Sequence, residues 1–273
     1  MQNMRLCARC SAEMERTMNT LTVKDLCKTY IINKRQNNVL KNINMEIRAG
    51  EMVAVMGPSG SGKSTLLYTI SGMDHLTAGR VDFFGQDIST LSPSEMSEIR
   101  LNQMGFIFQQ MYMLKNLSIY DNIILPAYQS ANGRGKEKRR EINDRAKELM
   151  HKLGISEVAA HDINEVSGGQ LQRACICRSL INRPKMIFAD EPTGALNQQN
   201  SREVMKELNR INAEGTTIML VTHDMKVAAK SDRVLYIEDG NIKGEYTFGR
   251  YGGQEEDRER EKKLSVWLME MGF

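Results

Sequence analysis

The sequence predicts an α/β fold built on a mainly parallel sheet, with a smaller antiparallel sheet and a helical lobe attached, and three observations predict it. Five short apolar runs, "EMVAVM" (51–56), "MGFIFQ" (104–109), "KMIFAD" (185–190), "TTIMLVTH" (216–223) and "RVLYIEDG" (233–240), are separated by helical stretches. Strands of this kind are buried on both faces, as in a parallel sheet covered by crossover helices. Two earlier segments, "LTVKDLCKTYI" (21–31) and "LKNINMEIRAGE" (40–51), alternate apolar with polar residues, which suits an antiparallel edge sheet. Residues 110 to about 165 carry no strand-like run and read as mostly helical, centred on the charged "GRGKEKRREINDRAKELM" (133–150). There is no internal repeat.

Composition bounds the function. A chain of 273 residues, 41% hydrophobic and 26% charged, can bury a sizeable core as one large domain or two lobes. Lys and Arg number 37 against 34 Asp and Glu, and a formal charge of +3 does not point to nucleic acid. No window reaches the roughly 18 apolar residues of a membrane span, and the first 20 residues lack the apolar block of a signal peptide. A cytoplasmic location is therefore expected. Five cysteines without framework spacing fit reduced thiols. Cys7 and Cys10, in "CARC", have the spacing of half a zinc site, but no second pair lies nearby, so residues 1–19 are expected to form a mobile tail. Met18 is an alternative start.

The strongest motif is "GPSGSGKST", from Gly57 through Pro58, Ser59, Gly60, Ser61, Gly62, Lys63 and Ser64 to Thr65. It matches G-x-x-x-x-G-K-[ST] and stands between a strand and the helix-forming "TLLYTI", the context that a phosphate-binding P-loop requires. Its glycines let backbone N–H groups wrap phosphates, Lys63 reaches the terminal phosphates, and Ser64 is placed to coordinate Mg²⁺. A second motif explains the two adjacent acids in "MIFADEPTGALN" (186–197). Asp190, at a strand end beside a P-loop, would bind the Mg²⁺ through water. Glu191 is then free to orient and deprotonate the water that attacks the γ-phosphate.

A third element separates the P-loop families. In "EVSGGQLQRACICRSL" (165–180), Ser167, Gly168, Gly169 and Gln170 open a helix, where backbone N–H groups and the positive end of the dipole meet an anion. With SGGQ in place, the sequence resembles the ATP-binding cassette (ABC) ATPases over roughly residues 20–245. The resemblance implies a RecA-like core, an antiparallel β subdomain and an α-helical signature subdomain (about 110–180) within a domain of residues 20–249. A C-terminal amphipathic helix would follow (250–273). It also implies that two copies pair head to tail, with the signature of one completing the ATP site of the other.

The same resemblance assigns further positions. Tyr30 matches the aromatic residue that stacks on adenine, and Gln109 matches the glutamine that senses Mg²⁺ and the γ-phosphate. His223, in "LVTHD", matches the switch histidine that holds the γ-phosphate and the catalytic glutamate. His75, His151 and His161 lie outside any such context. Val166 stands where many relatives have leucine, a small change in volume. Asn197 stands where many have aspartate, keeping a hydrogen-bonding side chain but losing the charge. Within the family, "FIFQQMYMLKNLSIYDNIILP" and "NRPKMIFADEPTGALN" resemble bacterial ATPases of the macrolide-export and lipoprotein-release type. "GALN" and the tail "REKKLSVWLMEMGF" resemble the branch serving bacitracin and lantibiotic export.

The expectation is thus an ATP-hydrolysing subunit that powers a separate membrane permease, exporting a peptide or hydrophobic compound from the inner face of the plasma membrane. An ATP-driven regulator that moves a membrane partner without carrying substrate would use the same chemistry. A cassette acting on DNA or ribosomes would need coiled-coil inserts, zinc modules or a second cassette. Met111, Tyr112, Met113 and Leu114 lie where the family docks the permease's coupling helix. Leu264, Trp267, Leu268 and Met271 fall on one helix face, expected to pack on the domain itself. The basic "GRGKEKRR" (133–140) is expected to be a solvated loop or helix start.

Overall fold

The computed structural model describes residues 19–130 and 135–272. Cys7, Cys10 and the rest of the first 18 residues lie outside the described residues, as do positions 131–134 and 273. The central sheet has six strands in the order β10-β9-β3-β8-β7-β6. These are β3 (Met52–Met56), β6 (Met104–Phe108), β7 (Met186–Asp190), β8 (Thr217–Val221), β9 (Arg233–Glu238) and β10 (Asn241–Thr247). The first five run parallel, with Val53 opposite Met219 and Phe108 opposite Asp190, while β10 returns antiparallel along β9.

Alternation along these strands builds two cores. Met52, Ala54 and Met56 face one side with Ile107, Ile187 and Leu220; Val53, Val55, Phe188 and Val221 face the other. The second side is covered by α1 (Lys63–Ile70), by α2 (Pro93–Gln103) and by a four-stranded antiparallel sheet ordered β2-β1-β4-β5. Its strands are β1 (Asn19–Ile32), β2 (Arg35–Arg48), β4 (Ala78–Phe83) and β5 (Gln86–Asp87). The first side carries α3 (Ile119–Gln129), α4 (Lys136–Lys152), α5 (Gly168–Leu180), α6 (Gln198–Ala213), the short α7 (Met225–Ala228) and α8 (Asp257–Glu270).

Several elements differ from the sequence expectation. The stretch 110–165 is less helical than expected, with irregular segments before α3 and after α4. Buried Asn122 supplies the reason for the first: its side chain accepts from Leu114 N (2.8 Å) and donates to the carbonyls of Leu114, Leu117 and Ser118. A loop is thus held where a helix would otherwise satisfy its own backbone. The polar strands β4, β5 and β10 carry too few apolar residues to announce themselves, and form because β1, β4 and β9 respectively offer edges to pair with.

In α8, Leu264 and Leu268 are buried, and the Trp267 ring lies 5.6 Å from that of Tyr246. Arg260 is almost fully buried and donates to the carbonyls of Ala229, Ser231, Gly249 and Arg250, which fastens the helix to the end of α7. No described helix is long and apolar enough to cross a membrane.

Candidate nucleotide site

The P-loop follows directly from β3, and its glycines are required by what presses against it. Gly57 has φ 151°, and a Cβ there would sit 1.9 Å from the Ile237 carbonyl oxygen of β9. Gly62 has φ 102°, and a Cβ there would meet the Val39 carbonyl at 3.0 Å. The loop is therefore wedged between β2 and β9, and Gly240 N donates to Ser61 O (3.2 Å) from the turn after β9. Pro58, Ser59 and Gly60 are exposed at its rim, with Thr65 half-buried inside α1.

Gly62 also begins α1, and no side chain caps this helix. Helices α5 and α6 are capped by Ser167 and Asn197. The first N–H groups of an α-helix have no internal acceptor, and with the helix dipole they favour an anion. Lys63 Nζ lies folded over the loop, donating to Gly57 O (2.9 Å) and Pro58 O (2.8 Å). Burial pulls its amine below the ordinary lysine value, against the opposing pull of the Glu191 and Asp190 carboxylates. A phosphate entering the loop would offer this cation a stronger partner than two carbonyls.

The two adjacent acids diverge. Asp190 is 8% exposed and accepts from Ser64 Oγ (2.9 Å, Oδ1) and from the Tyr68 hydroxyl (2.6 Å, Oδ2). Glu191 turns away from the sheet with φ 48°, its N–H donating to Val221 O at the end of β8 (3.0 Å). Its Oε1 lies 2.9 Å from His223 Nδ1. A left-handed backbone at a non-glycine residue costs about 1–3 kcal/mol and persists only where its surroundings enforce it. Here it sends the two carboxylates to different partners, which relieves their repulsion.

The remaining expected positions are spread over two regions. The Gln109 carboxamide lies against Gly194, where a Cβ would come within 2.9 Å of its Nε2. The Tyr30 hydroxyl donates to Asp74 Oδ2 (2.5 Å), and Lys28 Nζ covers one face of its ring at 4.6 Å. Burial raises the Tyr30 phenol above its ordinary value, reinforced by the hydrogen bond to Asp74 and that residue's charge. Ser167 accepts from Gln170 N (3.3 Å), and Gln170 Oε1 accepts from Ser167 N (2.9 Å), a closed capping box. Ser167 and Gly168 are exposed, and no hydrogen bond among the described residues joins positions 167–170 to the P-loop. Gly169 admits Asn200 of α6, whose N–H is capped by Asn197 Oδ1 (2.9 Å). His75, His151 and His161 are exposed.

Tyr68 was not visible as a site residue in the sequence. The available signal was its spacing, four residues after Ser64 on one face of α1. Burial raises its phenol well above the ordinary range, aided by the hydrogen bond to Asp190 and by that carboxylate's charge. Ser64 and Asp190 together form a small set of hard oxygen donors, the kind that suits Mg²⁺ held chiefly by nucleotide phosphates and water.

Beside the site, a groove of about 450 Å³ is lined by Phe108, Tyr112, Leu114, Leu125, Pro126 and their neighbours. Tyr112 and Leu114 are 60% and 48% exposed. Met111 differs from these two among the residues expected at the docking surface. It is buried with φ 61°, and its carbonyl accepts from Arg178 Nη2 (2.6 Å), so the turn faces inward there. Met113 is half-buried against the helical core.

A family model described as ABC transporter matches residues 40–194, more than half of the chain. The chain belongs to the ABC transporter family. This cassette is 42% identical over 222 residues to an uncharacterized ABC transporter ATP-binding protein, YknY, of Bacillus subtilis, covering 81% of this chain and 94% of that one. It is also 42% identical over 222 residues to the macrolide export ATP-binding/permease protein MacB of Pasteurella multocida. That match covers 81% of this chain but only 33% of MacB, so the cassette spans about a third of that relative's length. Among solved structures, the dimeric cassette MJ0796 superposes with a TM-score of 0.77 at 37% identity, covering 83% of this chain and 98% of that one. A post-hydrolysis dimer of MJ0796 bound to ADP and Pi gives 0.75 at 35% identity, with the same coverage. The chain is an ABC ATPase with the fold expected from its sequence.

Proposed function

We propose that this cassette hydrolyses ATP at sites shared between two copies and thereby drives a separate membrane permease that exports a peptide or hydrophobic compound. One observation carries the reading. The uncapped start of α1 stands beside the Ser64–Asp190 and Glu191–His223 pairs, while the SGGQ helix start is exposed and bonded to none of them. One chain therefore holds a phosphate cradle and a base, and presents a second anion-binding helix start to another copy. The dimeric MJ0796 structures support this arrangement by likeness.

In this reading the N–H groups of Gly60, Gly62, Lys63 and Ser64 hold the β- and γ-phosphates, and Lys63 leaves its two carbonyls to pair with them. Tyr30 offers the face not covered by Lys28 to adenine. Mg²⁺, with Ser64, Asp190 and Gln109 around it, would neutralise charge building on the phosphates. Glu191 takes the proton of the attacking water, and His223 fixes the orientation of that carboxylate. Ser167, Gly168 and Gly169 of the second copy close over the γ-phosphate, and Gln170 secures their helix start through the capping box. Closure moves the helical lobe, and the groove at Tyr112 and Leu114 passes that motion to the permease's cytoplasmic segment. The cassette would then sit in the cytoplasm, peripherally at the inner face of the plasma membrane. Nucleic acid plays no part. Export is supported by the likeness to MacB.

Size-exclusion chromatography with ATP and Mg²⁺ tests the shared site. Glu191→Gln is expected to slow hydrolysis about 10²–10⁴-fold and to trap an ATP-dependent dimer. Ser167→Arg in the same background should abolish that dimer. An ATP-bound Glu191→Gln chain that stays monomeric would overturn the shared site, and wild-type hydrolysis by that variant would remove Glu191 from its role.

A further inference from the structure

Tyr68 occupies a junction that neither the P-loop nor the strand motif explains. Its hydroxyl donates to Asp190 Oδ2 at 2.6 Å while Ser64 Oγ holds Oδ1 at 2.9 Å, so the two donors fix both oxygens and set the plane of the carboxylate. Its ring packs against Phe108, 6.4 Å between centroids and tilted by 55°. Phe108 is the residue directly opposite Asp190 in the β6–β7 register. Its ring in turn meets Tyr112 edge-on at 5.3 Å and stacks on Phe106 at 5.9 Å. Phe108 and Tyr112 both line the exposed groove.

We infer that Tyr68 is a positioning residue for Asp190, and that Phe108, in the lining of the groove, holds Tyr68 in place. The inference rests on the proposed role of Asp190 toward Mg²⁺. A carboxylate left with Ser64 alone could rotate about χ2, and a group that must present one oxygen to the ion or its water would then have to be ordered on each binding event. Partners that orient a ligand from behind commonly change metal affinity 10–100-fold when removed. Because the tyrosine is clamped by a ring from the groove, a shift at Phe108 changes the metal site without touching it. A permease segment bound at the groove is therefore felt at Asp190 through two aromatic contacts.

The test titrates Mg²⁺ against binding of a fluorescent ATP analogue by the full chain, for wild type, Tyr68→Phe, Phe108→Leu and Asp190→Asn. Tyr68→Phe is expected to raise the Mg²⁺ concentration at half-saturation about tenfold. Its affinity for the analogue without Mg²⁺ should stay unchanged, which a general loosening of the fold would not allow. Phe108→Leu should give a smaller shift in the same direction. Manganese binding followed by electron paramagnetic resonance gives a second readout independent of turnover. An unchanged midpoint in Tyr68→Phe, with the Mg²⁺ effect lost in Asp190→Asn, overturns the inference and leaves the role of Asp190 standing. An unchanged midpoint in Asp190→Asn overturns both. A shift in Tyr68→Phe without one in Phe108→Leu overturns the link to the groove.

Discussion

Gly57→Ala and Gly60→Ala alter two glycines of the same loop, yet the structure predicts very different outcomes. Both have positive φ, 151° and 79°, so both substitutions incur a backbone cost of about 1–2 kcal/mol. Their surroundings separate them. A Cβ on Gly60 meets nothing within 4 Å, whereas one on Gly57 falls 1.9 Å from the Ile237 carbonyl oxygen and 3.0 Å from its carbon. That obstacle is backbone of β9, which is paired on both sides with β10 and β3, so relief requires β9 or the loop to move by more than an ångström. Forced displacement of a packed element adds about 1–3 kcal/mol or more. The expected destabilisation is therefore about 2–5 kcal/mol for Gly57→Ala against about 1–2 kcal/mol for Gly60→Ala. Urea unfolding followed by circular dichroism measures the difference, and binding of a fluorescent ATP analogue reports whether the cradle survives. Gly60→Ala should retain binding and Gly57→Ala should lose it. Equal destabilisation of the two variants, or the larger loss at Gly60, would refute the wedged-loop argument.

Two further predictions concern the periphery of the site. Arg260→Ala removes donors from four carbonyls at once, two of them on the buried residues Ala229 and Ser231, and should cost about 3 kcal/mol in urea unfolding; a change under about 1 kcal/mol would show that water replaces the guanidinium freely. Asp74 carries a depressed pKa: burial pushes it up, but hydrogen bonds from Lys28 and Tyr30 and the Lys28 charge outweigh that. Its stabilising effect is thus present above the ordinary carboxylate value and is lost as pH falls through the lower folded value. The stability gap between wild type and Asp74→Asn should accordingly narrow as pH is lowered from about 7 to about 3, and a gap constant across that range would refute the assignment.

The P-loop, the SGGQ turn and the five parallel strands were legible because each is specified by neighbours in sequence. A glycine's left-handed backbone, a serine cap and a doubly buried apolar run are local facts, and long-range packing had only to agree with them. Asp190 and Glu191 were legible as a pair for the same reason. The geometry that keeps them apart was not. It depends on the Tyr68 hydroxyl, 122 residues from Asp190, and on His223, 32 residues from Glu191, each taking a different carboxylate.

Where the sequence went astray, a distant partner overrode a local preference. Met111 stands in the run expected to dock a permease helix, yet it is buried and its carbonyl is drawn inward to Arg178 on α5. Residues 114–118 read as helix, yet one asparagine side chain holds them as a loop. Strands β4, β5 and β10 have little apolar character of their own and are created by the edges they join. By itself, then, the sequence determined the fold class, the P-loop and the adjacent pair of acids at a strand end, since these are written in consecutive residues. Only the tertiary structure decided which carboxylate faces which partner, where the groove opens, and that Tyr68 stands between them, since those contacts exist only once residues far apart in the chain have been brought together.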